Sequence, residues 1–354
     1  MQGTRSFLVI GIIALAFIGC KADDGNDQVD AGEEIVPLSS GCAVPAPVDS
    51  GASDGGMVDG GVVGSGWVDT QSGGKTRTYY LRVPAGNVPG EPMPLVMAFH
   101  GTGGSGDRFL EDEYYNLQSA VGEEAFLVYP NALSEDGAIA NWNQEVDTVF
   151  FDDLYAELES KLCFSTGRVF VTGHSSGGGF TSQIGCDRGN VIRAIAPVAG
   201  ALLDDSNCTG QVAVMQVQGA QDTMVPPTTI RPGKDYYVFC NGCTLDEEKA
   251  VAGKTPPCIE YADCDPGFPV QFCLHEESDE NRNGGHAWPT FGGEAIWQFF
   301  KSLEPKKQTD QRGSGAGYAS IAGITTTVRF TISWPEDFQG EPAKIALGLY
   351  EVGT

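Results

Sequence analysis

The run Val169–Gly179 constrains the fold of this chain more than any other segment. It reads V-F-V-T-G-H-S-S-G-G-G, an apolar stretch that leads into G-x-S-x-G and then into more glycine. A β-branched strand that turns sharply around one serine is what a nucleophile elbow requires, and Gly173 and Gly177 lack the Cβ atoms that would collide there. A bare G-x-S-x-G also fits a glycine-rich loop without chemistry. The motif makes Ser175 the candidate nucleophile, and other motifs are needed to distinguish a catalytic serine from a glycine-rich loop.

Two later motifs supply partners for Ser175. The apolar run Val212–Val217 is followed by G-A-Q-D, which places Asp222 just past a predicted strand, and His286 lies in the glycine-flanked loop G-G-H-A-W-P. The chain order Ser, Asp, His is that of the α/β-hydrolases. We therefore expect Ser175, Asp222 and His286 to form a catalytic triad.

Rival acids and histidines are weaker candidates. His275 lies in a strand-like segment bounded by cysteines and has no flanking glycine, which favours a structural role. Asp204 and Asp205 come too early in the chain for the strand that carries the acid.

The segment Pro94–Gly104 predicts the oxyanion hole. A buried strand, P-L-V-M-A-F, runs into the small-residue loop H-G-T-G-G, whose backbone N–H groups can face a ligand. An oxyanion hole takes one donor from this loop and one from the residue after the nucleophile. We expect the amides of Thr102 and Ser176 in these roles.

The first twenty residues read as an export signal. Arg5 precedes an apolar run that is too short for a spanning helix and that ends in Gly19-Cys20. This ending resembles a bacterial lipobox, which implies cleavage before Cys20, a lipid on its thiol and a protein anchored on the cell envelope. Phe17 departs from the lipobox pattern, so simple secretion stays open. Either way, the mature protein is expected outside the cytoplasm, with a lipid on Cys20 as its only attachment to a membrane.

Residues 21–66 are expected to form a disordered acidic tether. They are rich in Asp, Gly, Ser, Pro and Val and carry almost no large apolar side chain, so they cannot bury enough surface to offset chain entropy. The whole chain has 47 acidic and 21 basic residues and a net charge of −26. Nucleic acid is not expected as a partner, because phosphate contacts need basic patches.

Ten cysteines in an exported chain predict disulfides. If Cys20 is lipidated, nine remain, so one thiol is free or paired outside the domain. The sequence does not fix the connectivity, and zinc binding is the weaker alternative for a C-terminal cluster comprising Cys240, Cys243, Cys258, Cys264 and Cys273.

Strand-like and helix-like patterns alternate over residues 67–304, which predicts an α/β domain with a mainly parallel central sheet flanked by helices. The predicted helices are Thr148–Leu162 with Asp147 as N-cap, Gly179–Gly185 and a closing helix Glu294–Leu303. Residues 305–354 are expected to form a small β appendage with strands Thr325–Trp334 and Lys344–Tyr350.

Six motifs in register carry a resemblance to a known family. They are F-H-G-T-G-G from Phe99, N-W-N from Asn141, the elbow, A-I-A-P-V-A-G from Ala194, G-A-Q-D from Gly219 and G-G-H-A-W-P from Gly284. Together they resemble the secreted polyhydroxybutyrate-depolymerase-like esterases, a family that includes feruloyl and acetylxylan esterases. The resemblance covers roughly residues 41–303.

The resemblance implies an acyl-enzyme mechanism through Ser175, Asp222 and His286, with no metal or organic cofactor. It also implies that an aromatic acyl group packs beside the serine, where Trp142 and Trp288 are candidates for a substrate-binding wall. Core packing is the alternative for both tryptophans. Asp279–Gly284 begins like a calcium loop, but Thr290 replaces the required glutamate, so calcium is not expected.

These observations predict a monomeric serine esterase, foremost a feruloyl esterase, that acts on plant cell-wall polysaccharide esters. A polyhydroxybutyrate depolymerase and an acetylxylan esterase are the alternatives within the same chemistry. A non-catalytic surface-binding lipoprotein is a weaker alternative, because a protein without activity has no reason to keep all three triad residues. A peptidase on the same fold is weaker too, because the sequence shows no propeller or large cap domain that would restrict peptide access.

Overall fold

The computed structural model describes residues 37–43, 64–111, 115–133, 140–205, 208–250, 258–277 and 285–307. All of them belong to one compact unit within Ile18–Gly315. The predicted signal peptide with Cys20, most of the tether, the Asp279–Gly284 loop and the strands of the C-terminal β segment lie outside the described residues. Within the described ranges, no helix has the length and apolar character needed to cross a membrane.

A ten-stranded sheet runs through the described residues in the order β1-β2-β4-β3-β5-β6-β7-β10-β9-β8. Its strands are β1 Gly66–Ser72, β2 Lys75–Arg82, β3 Met93–Phe99, β4 Phe126–Pro130, β5 Phe164–His174, β6 Ala194–Val198, β7 Ala213–Gly219, β8 Thr244–Ala250, β9 Cys258–Ala262 and β10 Val270–His275. The neighbours from β4 to β10 pair in parallel, and the strands at both edges pair antiparallel. Because parallel strands are buried on both faces, the central strands are near-continuous apolar runs.

Helices cover both faces of the sheet. They are α1 Asp107–Leu110, α2 Leu117–Val121, α3 Gln144–Lys161, α4 Ser176–Asp187, α5 Pro227–Cys240 and α6 Gly292–Lys301. One apolar cluster includes Phe150 of α3 and Ile184 of α4, and a second includes Leu117 of α2 and Trp297 of α6. This is the predicted α/β-hydrolase arrangement, and the fold class is confirmed.

Helix α3 begins earlier than the sequence predicted. Its N-cap is Asn143, whose side-chain oxygen accepts a hydrogen bond from the Val146 amide at 3.2 Å. Asp147 lies inside the helix, where it accepts from the Asn143 amide at 2.6 Å and pairs with buried Arg77 at 2.6 Å. The prediction of Asp147 as N-cap is wrong, because the Asp147 carboxylate pairs with the buried guanidinium of Arg77 and the N-cap is Asn143.

The expected tether is not a tether throughout. Residues Pro37–Ala43 lie against the domain, where Ser39 Oγ donates to the Leu162 carbonyl at 2.6 Å and accepts from the Phe164 amide at 2.9 Å. A disulfide joins Cys42 to Cys163. The predicted tether 21–66 is therefore wrong for this segment, which is part of the folded domain.

The domain also continues past the predicted end at residue 304. The Lys306 amide donates to the Gly167 carbonyl at 2.8 Å. Its buried ammonium group donates to the carbonyls of Gln211 at 2.7 Å and Ile192 at 3.3 Å. These contacts make Lys306 part of the esterase domain rather than of an extension.

The described cysteines are oxidised, as the sequence predicted. Four bridges join Cys42 to Cys163, Cys186 to Cys208, Cys243 to Cys264 and Cys258 to Cys273. Cys240 is disulfide-bonded as well, so none of the described cysteines is a free thiol. The zinc alternative for the C-terminal cluster is therefore wrong, since its sulfurs are used in bridges.

Candidate active site

Ser175 stands at a strained turn between β5 and α4. Its φ is 56° and its ψ is −118°, a backbone conformation that is rare for any residue but glycine. The turn is crowded, because a Cβ on Gly173 would lie 2.4 Å from the Gly177 carbonyl oxygen and one on Gly177 would lie 2.1 Å from the Phe99 oxygen. The Ser175 amide donates to the Val198 carbonyl at 2.9 Å, which ties the turn to the neighbouring strand. This is the nucleophile elbow that the motif predicted.

The structure brings the three predicted triad side chains together. His286 Nε2 lies 2.8 Å from Ser175 Oγ, and His286 Nδ1 lies 2.8 Å from Asp222 Oδ2. Because an ionised carboxylate only accepts hydrogen bonds, Nδ1 carries the proton toward Asp222 and Nε2 is left to accept the serine O–H. The arrangement orients the imidazole as a base for the serine.

The Asp222 carboxylate is fixed by donors on both oxygens. Its Oδ1 accepts from the amides of Met224 at 2.9 Å and Val225 at 2.8 Å. Its Oδ2 accepts from Gln218 Nε2 at 3.0 Å as well as from the imidazole. The carboxylate is fully buried, and these bonds replace the water that burial removes.

The rival residues lie apart from this chain of hydrogen bonds. His275 ends strand β10, and its ring packs 5.9 Å from the Phe291 ring. Burial lowers the pKa of His275 below its ordinary value, so the ring is neutral at pH 7. Asp204 bonds through its backbone to Gln183 on helix α4.

The two predicted oxyanion donors flank the serine. Thr102 and Ser176 line the same cleft as Ser175. The amide of Gly103 donates to the Ala140 carbonyl at 2.8 Å, whereas the amides of Thr102 and Ser176 have no acceptor among the described residues. The Thr102 hydroxyl donates to Asn141 Oδ1 at 2.9 Å and fixes the loop from its other side.

A cleft of about 410 Å³ opens beside Ser175. Trp142 forms part of its wall, with a ring stacked on Phe180 at 5.2 Å and an indole N–H that donates to the His100 carbonyl at 2.8 Å. The lining residues are Thr102, Asn141, Trp142, Gln144, Ser175, Ser176, Gly179, Phe180, Gln183, Gly200, Ala201, Leu203, Val225 and Thr229. Trp142 thus lines the cleft and also holds the loop His100–Gly104, which we call the oxyanion loop.

Trp288 is not part of the cleft. It is 2 % exposed, and its indole N–H donates to Asn116 Oδ1 at 3.0 Å. Its ring packs edge-on against Tyr115 and Phe109. The prediction of Trp288 as a substrate-binding wall is wrong, because Trp288 is buried against Tyr115 and Phe109 and does not line the cleft.

Sequence reasoning missed several residues of the site. Phe180 lies on the first turns of the elbow helix and faces the cleft, which the spacing from Ser175 could have indicated. Val225 and Thr229 reach the cleft from the segment after Asp222. Gln218 carries no sequence signal, because its role depends on the position of a carboxylate four residues away in a turn.

This fold and site define a serine carboxylic-ester hydrolase. The sequence is 31% identical over 250 residues to "Feruloyl esterase D" of Neurospora crassa, covering 66% of this chain and 84% of the relative. It is 27% identical over 239 residues to "Feruloyl esterase C" of Emericella nidulans, covering 63% of this chain and 83% of the relative. The chain belongs to the feruloyl esterase family, as the motifs led us to expect.

A solved structure supports the fold independently. "Acetyl xylan esterase from Aspergillus awamori" superposes with a TM-score of 0.52 at 14% identity, over 67% of this chain and 99% of that one. No protein-family profile matches the sequence.

Proposed function

We propose that this protein hydrolyses feruloyl and related hydroxycinnamoyl esters of plant cell-wall polysaccharides, with Ser175 as the nucleophile. The observation that carries the proposal is the continuous chain from Ser175 Oγ through His286 to Asp222, with 2.8 Å at each step. It opens onto a cleft with an aromatic wall. We assign a feruloyl acyl group because the related proteins are named feruloyl esterases.

Acylation begins when Ser175 Oγ attacks the ester carbonyl carbon. His286 Nε2 takes the serine proton, and Asp222 stabilises the imidazolium through Nδ1–H. The carbonyl oxygen becomes an oxyanion that accepts hydrogen bonds from the Thr102 and Ser176 amides. Collapse of this intermediate transfers the proton from His286 to the leaving alcohol and leaves an ester on Ser175.

Deacylation repeats these steps with water. His286 takes a proton from the water, the resulting hydroxide attacks the acyl carbon, and the imidazolium returns the proton to Ser175 Oγ. The products are a carboxylic acid and the freed enzyme. No step needs a group other than these side chains, the two amides and water.

The cleft favours a flat acyl group over an acetyl group. Its volume of about 410 Å³ falls within the ~300–1,000 Å³ that is typical of pockets for drug-sized ligands. The exposed Leu203 side chain and the small exposed parts of Trp142 and Phe180 give the cleft an apolar surface for an aromatic ring. An acetyl group would leave most of this surface in contact with water, so acetylated xylan and polyhydroxybutyrate are the second choices.

We also propose that the protein acts outside the cytoplasm. The disulfides of the described part of the chain favour an oxidising compartment, and the first twenty residues have the pattern of an export signal.

A substrate panel tests the proposed function. We expect hydrolysis of methyl ferulate with a higher kcat/KM than release of acetate from acetylated xylan or of hydroxybutyrate from the polyester. Ser175→Ala should remove the activity, whereas Ser160→Ala, on an exposed face of α3, should retain it. Equal activity of the Ser175→Ala variant would refute the mechanism, and a preference for acetyl esters would refute the assigned acyl group.

A further inference from the structure

A second chain of hydrogen bonds passes behind the reacting side chains. The Gly101 amide lies 3.2 Å from the Tyr115 hydroxyl oxygen, and that oxygen lies 3.2 Å from His174 Nδ1. His174 Nε2 lies 3.2 Å from the backbone carbonyl oxygen of His286. Both side chains are buried, with 2 % of Tyr115 and 3 % of His174 exposed. Three segments that are distant in the sequence therefore meet through two buried polar side chains.

The chemistry of the groups sets the direction of each bond. A carbonyl oxygen only accepts, so His174 Nε2 carries a proton and donates to His286. In the neutral ring Nδ1 is then an acceptor, and it takes the hydroxyl proton of Tyr115. The Tyr115 oxygen in turn accepts the N–H of Gly101. All three bonds are satisfied by one tautomer of one neutral histidine.

The hydrogen-bonded groups each belong to, or directly precede, a residue with a proposed role in the reaction. Gly101 directly precedes Thr102, His174 directly precedes Ser175, and the carbonyl belongs to His286 itself. These hydrogen bonds thus join the loop His100–Gly104, the elbow and the segment of His286, and neither Tyr115 nor His174 lines the cleft. A shift of any of these segments would change the distances between the nucleophile, its base and the oxyanion donors.

We propose that Tyr115 and His174 are positioning residues that hold the oxyanion loop at a fixed distance from the His286 loop. The proposal rests on the proposed function, since it assumes the roles of Thr102, Ser175 and His286. Tyr115 and His174 act through these groups and not on the substrate.

The surroundings of Tyr115 fit a rigid support. Its ring stacks on Phe109 at 4.3 Å and meets Trp288 edge-on at 5.3 Å. The next residue, Asn116, accepts from the Trp288 indole at 3.0 Å and from the Gly293 amide at 2.9 Å. Tyr115 and Asn116 therefore both contact Trp288, two residues after His286, and these contacts hold the Trp288 side chain in the core.

Tyr115→Phe tests the proposal, because it removes one oxygen and keeps the ring packing. We expect kcat on methyl ferulate to fall about 10-fold to 100-fold with KM changed less than about 2-fold, since small displacements of reacting groups act on the transition state. The affinity for an arylboronic acid, which forms a tetrahedral adduct on the serine, should fall by a similar factor. Tyr155→Phe, on helix α3 away from the cleft, is the matched control and should leave kcat and boronic acid affinity unchanged.

A double-mutant cycle with His174→Asn separates one shared chain from two independent effects. If Tyr115 and His174 act together, the double variant should be no less active than the less active of the two single variants. Additive losses, an unchanged kcat in folded Tyr115→Phe, or a loss confined to KM would each overturn the proposal. If Ser175→Ala stays active, the proposed function fails instead, so the two failures are distinguishable.

The wild-type protein offers a test that does not depend on folding of a variant. The ¹⁵N chemical shifts of histidine-labelled protein report which ring nitrogen carries the proton, and sequential resonance assignment of the wild type identifies the His174 signal. We expect the neutral Nε2–H form. A neutral Nδ1–H form, or a charged ring at pH 7, would contradict the chain.

Discussion

The orientation of the His286 ring depends on Asp222, and Asp222→Asn tests this dependence. In the variant, the amide oxygen can keep the two bonds from the Met224 and Val225 amides only if its NH₂ group faces His286 and Gln218. The reverse orientation places the NH₂ group against two N–H donors and is worse. An NH₂ group facing Nδ1 favours the tautomer that carries its proton on Nε2, and that nitrogen then donates to Ser175 instead of accepting.

The expected loss is large because the base is removed while its atoms stay in place. The same substitution in the chymotrypsin-type triad lowers kcat about 10⁴-fold, which equals about 5.4 kcal/mol at ~1.36 kcal/mol per decade. We expect a decrease of that order in kcat for methyl ferulate and a small change in KM. Facing N–H groups on Gln218 and the new amide should also lower the free energy of unfolding by about 1–3 kcal/mol.

Steady-state kinetics and thermal unfolding check this prediction together. Asp205→Asn is the matched control, because Asp205 is an exposed acid outside the triad, and it should keep wild-type kinetics. A folded Asp222→Asn enzyme with less than about a 10-fold loss in kcat would refute the tautomer argument. The same loss in Asp205→Asn would show that the effect is not specific to Asp222.

Three further predictions concern the scaffold. Gly177→Ala should abolish activity, since its Cβ would lie 2.1 Å from the Phe99 oxygen; a fully active variant would contradict the crowded elbow. Removing the Cys42–Cys163 bridge by paired alanine substitution should lower the free energy of unfolding by about 2–5 kcal/mol in a denaturant titration, and an unchanged midpoint would refute this. Burial lowers the pKa of His100, so the unfolded chain takes up a proton first and stability should fall as the pH drops below about 6.5. The melting temperature of His100→Asn should depend less on pH between 7 and 5 than that of the wild type, and an equal slope would count against His100.

The sequence was sufficient to predict that Ser175, Asp222 and His286 lie together, because Ser175 and Asp222 follow strands and His286 lies in a glycine-flanked loop. Gly173 and Gly177 mark the elbow, and a buried apolar run precedes both the oxyanion loop and Asp222. In a parallel sheet, strand ends meet at one edge, so local motifs predict a distant meeting of side chains. The apolar runs before these motifs also predicted the central strands.

Features that depend on a distant partner were not predictable in this way. Residues Pro37–Ala43 have the composition of a tether, but the bridge to Cys163, 121 residues away, and the hydrogen bonds of Ser39 to Leu162 and Phe164 make them part of the domain. Trp288 has the same local setting as a cleft residue, but Asn116 accepts its indole N–H and draws it into the core. Asn143 caps helix α3 instead of Asp147, because the Asp147 carboxylate pairs with Arg77 of strand β2.

Active-site labelling tests the central claim most directly. A fluorophosphonate phosphonylates an activated serine hydroxyl, and peptide mass mapping locates the adduct. We expect one adduct, on Ser175, with complete loss of methyl ferulate hydrolysis in proportion to labelling, and no adduct in Ser175→Ala. Full activity in a protein labelled at Ser175, or an inactivating adduct on another residue, would contradict the account.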